Sequence, residues 1–250
     1  MINVSIVGSG NLATQLGLAL FKSGHRIVEV YSKNNKNAIE LATKLNCDTT
    51  ESLDQLKKVD LVIIAVKDDV ITEVSEKIKL PAVHTSGIKS LNDLRNLNYP
   101  KGVFYPLQTF SKNKNISFKN IPICIESESS DFLSLLENLA KSLSDKVYHL
   151  DKNKRAQLHV SAVIACNFSN MLYQFAYEHC QNNDIPFEIL HSLIYETANK
   201  IKFDKPKNLQ TGPAKRKDII TIKNHLDLLK NNKELKEAYQ LLTNSIISRT

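Results

Sequence analysis

Gly8-Ser9-Gly10-Asn11-Leu12-Ala13 is the run whose residue types and spacing point most directly to chemistry. In such a run Gly8 permits a tight turn and Gly10 lets the backbone approach a pyrophosphate. Ala13 lets a helix pack close to a strand. The N–H groups of Gly10-Asn11-Leu12 at the helix start then face phosphate charge. The pattern is the dinucleotide-binding fingerprint, with alanine as the third small residue. A second set lies far along the chain. His159, Asn167 and Asn170 stand 8 and 11 residues apart, which at the α-helical period puts them on one face, with Cys166 beside them. Histidine titrates near neutrality, so His159 is the candidate proton donor, with Asn167 beside it as a catalytic candidate and Asn170 as a substrate contact. Buried polar groups must find partners. The stripe therefore faces a ligand crevice, or it bonds to another helix or a dimer partner.

Further candidates follow strand ends. A site that prefers NAD carries an acid at the end of the second strand to meet the ribose 2′-hydroxyl. Here that strand ends Val30-Tyr31-Ser32-Lys33-Asn34, and Glu29 comes too early to reach. Ser32 and Lys33 suit a 2′-phosphate, so the expected cofactor is NADP. Ser86 and Gln108 are candidate substrate or nicotinamide contacts in loops. Tyr105 is a second possible proton donor, and His84 is expected to end a strand. Arg216 is the only arginine in the basic run Lys200–Lys217. Its planar fork suits a carboxylate or phosphate, so this loop is expected to close over the crevice of its own or a partner subunit. The alternative is an exposed, solvated loop.

The elements that must position these residues can be read from periodicity. The fingerprint follows the apolar run Ile2–Val7 and opens a segment with Leu12, Leu16, Ala19 and Leu20 at helical spacing. Strands are expected at Arg26–Tyr31, Leu61–Val66, Ala82–His84, Ile121–Ile125 and Val147–Leu150, with short helices at Ala38–Leu45 and Val70–Ile78. The uninterrupted Leu-Val-Ile-Ile-Ala-Val run at 61–66 suits a parallel strand buried on both faces. Alternating strands and helices predict an α/β, Rossmann-type, doubly wound parallel sheet over residues 1–150. From residue 151 the pattern turns helical. Leu158, Ala162, Ala165, Phe168, Leu172 and Phe175 recur three or four apart, and further helices are expected at Pro186–Lys202, Asp218–Leu229 and Glu234–Ser248. Asp184 and Asp218 are candidate N-caps. Residues 151–250 are thus expected to form an all-helical C-terminal domain for substrate binding and dimerisation.

Composition narrows the function. Hydrophobic residues make up 42% of the 250, enough for a proper core. No apolar run approaches the ~18 residues of a membrane span, and no basic-then-apolar leader precedes the first strand. The net charge is +7. Residues 1–150 contribute only +2, and most of the rest sits in Lys200–Lys217, without the interleaved aromatics of a nucleic-acid surface. Cys47, Cys124, Cys166 and Cys180 show no paired spacing, as expected of free thiols in a reducing cytoplasm. No metal-ligand spacing is present.

Several longer phrases carry a resemblance. They are Gly8–Ala13, Tyr31-Ser32-Lys33, Ala65-Val66-Lys67-Asp68-Asp69, His84-Thr85-Ser86-Gly87, Phe104-Tyr105-Pro106-Leu107-Gln108-Thr109-Phe110, Leu158-His159 to Asn167-Phe168, and Thr211-Gly212-Pro213-Ala214-Lys215-Arg216-Lys217-Asp218. Together they resemble bacterial proteins that pair a Rossmann-like domain with a helical domain of unknown function. That family is similar to pyrroline-5-carboxylate reductases and deazaflavin-dependent NADP oxidoreductases, in the wider 6-phosphogluconate-dehydrogenase-like group. The resemblance implies that fold and NADP, and Val66 and Lys67 join the expected cofactor contacts. Two departures stand out. The hydroxyacid dehydrogenases of the wider group place a catalytic lysine four residues before an asparagine, whereas here Lys154 precedes Leu158 and Arg155 precedes His159. Prephenate dehydrogenases carry histidine where this chain has Tyr105.

The leading expectation is therefore a cytoplasmic, homodimeric NADP-dependent oxidoreductase acting on a small carbonyl or imine compound, with no nucleic-acid or membrane partner. One alternative is an imine reductase like the pyrroline-5-carboxylate reductases. The other is a catalytically silent NADP-binding sensor or regulator.

Overall fold

The central strand β4 (Leu61–Ile64) shows how the sheet organises the first part of the chain. Its four side chains are all buried and alternate between two apolar clusters. Leu61 and Ile63 join Ile6, Phe104 and Leu136 on one face. Val62 and Ile64 join Val7, Ile71 and Leu94 on the other. A strand with period 2 can feed two cores only when helices or loops cover both faces. The computed structural model describes residues 1–95, 98–114 and 116–250, which divide into two compact units, Met1–Val163 and Ile164–Thr250.

The first unit runs β1 (Asn3–Val7), α1 (Asn11–Lys22), β2 (Arg26–Tyr31), α2 (Asn35–Leu45), β3 (Asp48–Thr50), β4, α3 (Ile71–Glu76), β5 (Ala82–His84), β6 (Lys101–Pro106), β7 (Ile123–Ser127), α4 (Ser130–Leu143), β8 (Val147–His149) and α5 (Lys152–Ala162). The sheet order is β3-β2-β1-β4-β5-β6-β7-β8. Every neighbouring pair is parallel except β6 and β7, which are antiparallel. The expected doubly wound sheet is therefore parallel-dominated, with one reversal where β6 and β7 join with no helix among the described residues between them. β3 and β6 add to the six strands read from periodicity. β3 is three polar residues at the sheet edge, and β6 is framed by Gly102 and Pro106, so neither carries a strand pattern. The helix α4 also went unread, although Ser129 caps it by accepting from the Phe132 N–H and Phe132, Leu136, Leu139 and Leu143 face the core. The helix α5 starts the helical half of the sequence, yet it packs with the sheet unit through Leu158 against Val103, Tyr105 and Cys124.

The second unit holds α6 (Ser169–Gln181), α7 (His191–Lys200), the one-turn α8 (Pro206–Leu209), α9 (Ile219–Leu228) and α10 (Lys233–Ile247). Asp218 caps α9 as expected, accepting from the Thr221 N–H and hydroxyl. Asp184 does not cap a helix. It sits in a left-handed conformation at φ 54° in the turn after α6, and the next helical turn begins after Pro186. A π-helical segment, Val163–Phe168, joins α5 to α6. None of the described helices is long and apolar enough to cross a membrane.

Candidate functional site

The glycine turn is fixed by its neighbours. Gly8 has φ +122°, and a Cβ there would stand 2.2 Å from the Ala65 carbonyl oxygen. Only glycine fits, because both the conformation and the close backbone forbid a side chain. The Gly8 N–H donates to the Tyr31 carbonyl at 2.7 Å and the Ala65 N–H donates to the Val7 carbonyl at 2.8 Å. The carboxyl ends of β1, β2 and β4 are thereby drawn together, as the topology of a dinucleotide site requires. Gly10 differs in kind: a Cβ built on it meets nothing within 4 Å. The space beside it is open, as close approach of a pyrophosphate demands.

The helix start behind that space is also open. Gly10 caps α1 without any side-chain hydrogen bond, and no acid lies in the first turn. By contrast α2, α4, α5, α9 and α10 each have a side chain accepting from their first turn. The free N–H groups of Asn11 and Leu12 carry the positive end of the helix dipole and suit a phosphate. Ala13 is buried against the sheet. These residues fit the phosphates of a dinucleotide.

At the end of β2 the Ser32 hydroxyl lies 2.7 Å from the Ser9 hydroxyl, tying the strand end to the glycine turn. Lys33 is exposed there. Glu29 is buried and accepts from the Ser5 hydroxyl at 3.3 Å and the Lys57 N–H at 2.6 Å. That carboxylate is committed to the sheet and is not free to meet a ribose 2′-hydroxyl. Val66 lies beside Gly8, and Lys67 is exposed just after it.

A second cluster sits at the carboxyl ends of β5 and β6. The Tyr105 hydroxyl and His159 Nδ1 are hydrogen-bonded at 3.0 Å, although 54 residues separate them. The rings meet edge to face, with centroids 6.1 Å apart. Burial, then the nearby Cys124 and Asp68, push the Tyr105 hydroxyl up to about 12. It stays protonated near neutrality, so a neutral hydroxyl meets the ring at Nδ1. Gly87 packs flat against this imidazole, since a Cβ there would stand 2.7 Å from His159 Nδ1.

One turn before His159, Arg155 has no solvent exposure. Its guanidinium donates to the Glu126 carboxylate on β7 and to the Lys89 carbonyl after β5. An arginine fork is suited to two such partners at once. It anchors α5 to the sheet and so sets where His159 stands. Sequence reasoning missed this role, because Arg155 registered only as a departure from a lysine pattern.

Other expected residues are engaged, exposed or carried by the second unit. The Ser86 hydroxyl donates to Asp68 at 2.7 Å and accepts from the N–H groups of Ile88 and Lys89 at 3.1 Å each. A hydroxyl has one donor and two acceptor sites, so Ser86 is fully used in holding its loop. His84 ends β5, as expected. It is wholly buried, and burial followed by the Arg155 charge lowers it to about 4. Its Nε2–H donates to the Ser90 carbonyl, and Nδ1 accepts from the Ser86 N–H. Gln108 is exposed, with its side-chain oxygen accepting from the Thr109 N–H. Asn167, Asn170 and Arg216 belong to the second unit, and all three are exposed. The shared face of His159, Asn167 and Asn170 was counted at the α period. The π-helical segment Val163–Phe168, which includes Asn167, stands in the chain between α5 with His159 and α6 with Asn170. The basic run is not a plain loop either, since it includes α8 before the Gly212 turn at φ +99°.

Comparison with known proteins places both parts of the chain. Residues 121–246 match the family described as domain of unknown function (DUF2520). Residues 3–86 match the family described as NADP oxidoreductase, coenzyme F420-dependent. A Bacteroides fragilis protein solved as a candidate NADP oxidoreductase is 38% identical, with a TM-score of 0.92 over 99% of this chain and 98% of that one. A 1-pyrroline-5-carboxylate reductase from Streptococcus pyogenes shares the fold at 17% identity, with a TM-score of 0.67 over 99% and 98% of the two chains. A glutamyl-tRNA reductase from Sulfolobus acidocaldarius is 24% identical over 232 residues. The match takes in 88% of this chain but only 51% of that curated relative, so the chain spans about half its length.

Proposed function

The chain belongs to the DUF2520 family, and from that membership and the site's geometry we propose an NADP-dependent oxidoreductase acting on a small carbonyl or imine compound. The observation that carries this reading is the Tyr105–His159 pair, 3.0 Å apart, at the carboxyl edge of the same sheet whose first turn opens a phosphate cradle. The hydride would come from NADPH when that cofactor is bound. The chain's residues do the rest. The α1 N-terminus and the Gly8–Gly10 turn hold the phosphates, and Lys33 meets the charge of a 2′-phosphate. Val66 and Lys67 flank the cofactor.

In its protonated form His159 is the proton source: it gives its Nε2 proton to the substrate's oxygen or nitrogen when the carbon gains the hydride, and returns to the neutral ring. Tyr105 holds the ring through Nδ1, and Gly87 leaves room for it. Arg155 and Ser86 act at one remove, by fixing α5 and the loop after β5. The helical half supplies substrate contacts, for which Asn167, Asn170 and Arg216 are the candidates together with Gln108, and it supplies the surface of a homodimer. The cytoplasm, rich in NADPH and reducing, suits such an enzyme with free cysteines.

The experiment is His159→Ala, assayed for NADPH binding and for turnover over a panel of aldehydes, ketones and cyclic imines. Binding is expected to stay intact, with turnover falling by roughly 10²–10⁴-fold. Unchanged turnover in the folded variant removes His159 from the chemistry. A parent protein that binds NADPH and turns over no member of the panel favours a sensor, a reading supported by the absence of the lysine–asparagine pair of the related dehydrogenases.

A further inference from the structure

Gln15 is a polar side chain in an apolar place. It lies in the second turn of α1 among buried Ala13, Leu16 and Leu20, and only 4% of it is exposed. A buried amide without partners is costly, and leucine or methionine would serve the helix as well. The partners of Gln15 lie far from its own helix. Its Nε2 donates to the Ser111 carbonyl at 2.8 Å and reaches the Lys112 carbonyl at 3.4 Å, 96 and 97 residues further along the chain.

Those carbonyls belong to the segment that follows β6. The Leu107 N–H still donates to the Pro122 carbonyl at 2.8 Å. Beyond it Gln108 and Thr109 are exposed. The segment is then fixed from two sides. Phe110 stacks on Phe118 with ring centroids 5.6 Å apart, and Gln15 holds the next two residues. Gln108 is thereby held three residues after Tyr105, at the carboxyl end of β6 where the Tyr105–His159 pair stands. Its side-chain oxygen accepts from the Thr109 N–H at 2.8 Å, which leaves the Nε2 hydrogens for a ligand's acceptor.

The other end of the tether is the cofactor helix. Asn11 and Gln15 stand four apart on α1 and so share a face, and a helical side chain leans toward the N-terminus of its own helix. The amide therefore sits one turn behind the uncapped N–H groups of Asn11 and Leu12. Nothing in the local pattern of α1 requires glutamine there. The requirement comes from the segment it holds.

We propose that Gln15 is a positioning residue: it ties the Leu107–Lys112 segment to the phosphate-binding helix and so sets Gln108 beside the Tyr105–His159 pair to receive the substrate. The substrate half of this rests on the oxidoreductase reading above. The tether itself rests on α1 and the segment alone.

The test compares the full-length parent with Gln15→Met, which keeps length and bulk and removes the donor. Trypsin cuts after lysine, so the rate of cutting after Lys112 and Lys114 reports how firmly the segment is held, with no turnover needed. That rate is expected to rise roughly three- to tenfold in the variant, as the loss of such a bond allows. NADPH affinity is expected to hold. At saturating NADPH, KM for the substrate is expected to rise by a similar roughly three- to tenfold, with kcat nearly kept, because a contact shared by ground and transition states moves KM alone. A merely structural role lowers the active fraction, and with it kcat, and leaves KM in place. Gln108→Ala should raise KM as well, and adding Gln15→Met to it should raise KM little further. Parent cutting rates in the folded variant overturn the proposal. So does a loss of kcat at constant KM, or full additivity with Gln108→Ala. Should Gln15→Met fail to fold, Gln15→Glu, of the same shape with the donor replaced by an acceptor, carries the same readouts. A parent that turns over no compound sinks the oxidoreductase reading instead, and the cutting rate alone then decides the tether.

Discussion

Gly87→Ala tests the candidate site at the contact that holds its titratable group. The new methyl would stand 2.7 Å from His159 Nδ1, 2.8 Å from Cγ and 3.0 Å from Cβ. Comfortable contact is about 3.5 Å or more, so the ring must retreat by about 0.8 Å. A retreat of that size takes the Tyr105–His159 hydrogen bond from 3.0 Å to about 3.8 Å, beyond bonding range. Overpacking of this kind costs about 1–3 kcal/mol of stability. The misplaced ring should lower turnover by roughly 10²-fold. NADPH affinity should hold, because the glycine cradle is untouched.

The decisive assay is a double-mutant cycle. In a His159→Ala background the ring atoms are gone and only Cβ remains near. Gly87→Ala should then cost a few tenths of a kcal/mol, with a coupling of about 0.5–3 kcal/mol between the two sites. Denaturant unfolding of the four proteins measures it. An equal cost of Gly87→Ala in both backgrounds would refute the contact, and parent-level turnover in the single variant would refute its importance.

Two more outcomes follow from particular residues. Lys33→Asp should weaken NADPH binding by roughly ten- to a hundredfold through loss of a charge-assisted contact, while leaving NADH binding nearly unchanged; equal affinities of the parent for both nucleotides would defeat the assignment. His84 is held neutral, its folded value lowered to about 4 against about 6.5 unfolded. In that window the unfolded chain binds the extra proton, so this contribution is full above about 6.5 and lost as pH falls towards 4, at about 3 kcal/mol overall. Urea midpoints measured across the window should fall less steeply in His84→Gln, and an identical slope would show that His84 does not set the acid limb.

The sheet unit was legible where local rules decide. The Leu61–Ile64 run and the Gly8–Ala13 turn each carry their structure in adjacent residues, through side-chain period, glycine conformation and helix-start geometry. The helix α4 was equally readable from Ser129 and the Phe132–Leu136–Leu139–Leu143 spacing, and the antiparallel β6–β7 pair was not, because its register depends on strands joined by a loop without pattern. Asp184 has the residue type of a cap, but the left-handed turn it occupies is set by how α6 ends. The π segment Val163–Phe168 reads as ordinary helix, since nothing in Val-Ile-Ala-Cys-Asn-Phe distinguishes a five-residue hydrogen-bond step from a four-residue one.

The candidate site divides in the same way. The sequence by itself determined the glycine turn at the start of α1, the lack of an acid directly after β2, and His159 and Tyr105 as separate proton-transfer candidates. Each depends on residue identity at one place in the chain. Only the tertiary structure decided that these two rings meet, that Gly87 makes room for them, that Ser86 has no hydroxyl capacity left, and that Arg155 anchors α5. Those are distances between segments far apart in sequence, fixed by how β5, β6, β7 and α5 pack. Side-chain partners across such separations leave no periodic trace, because packing specifies them pair by pair.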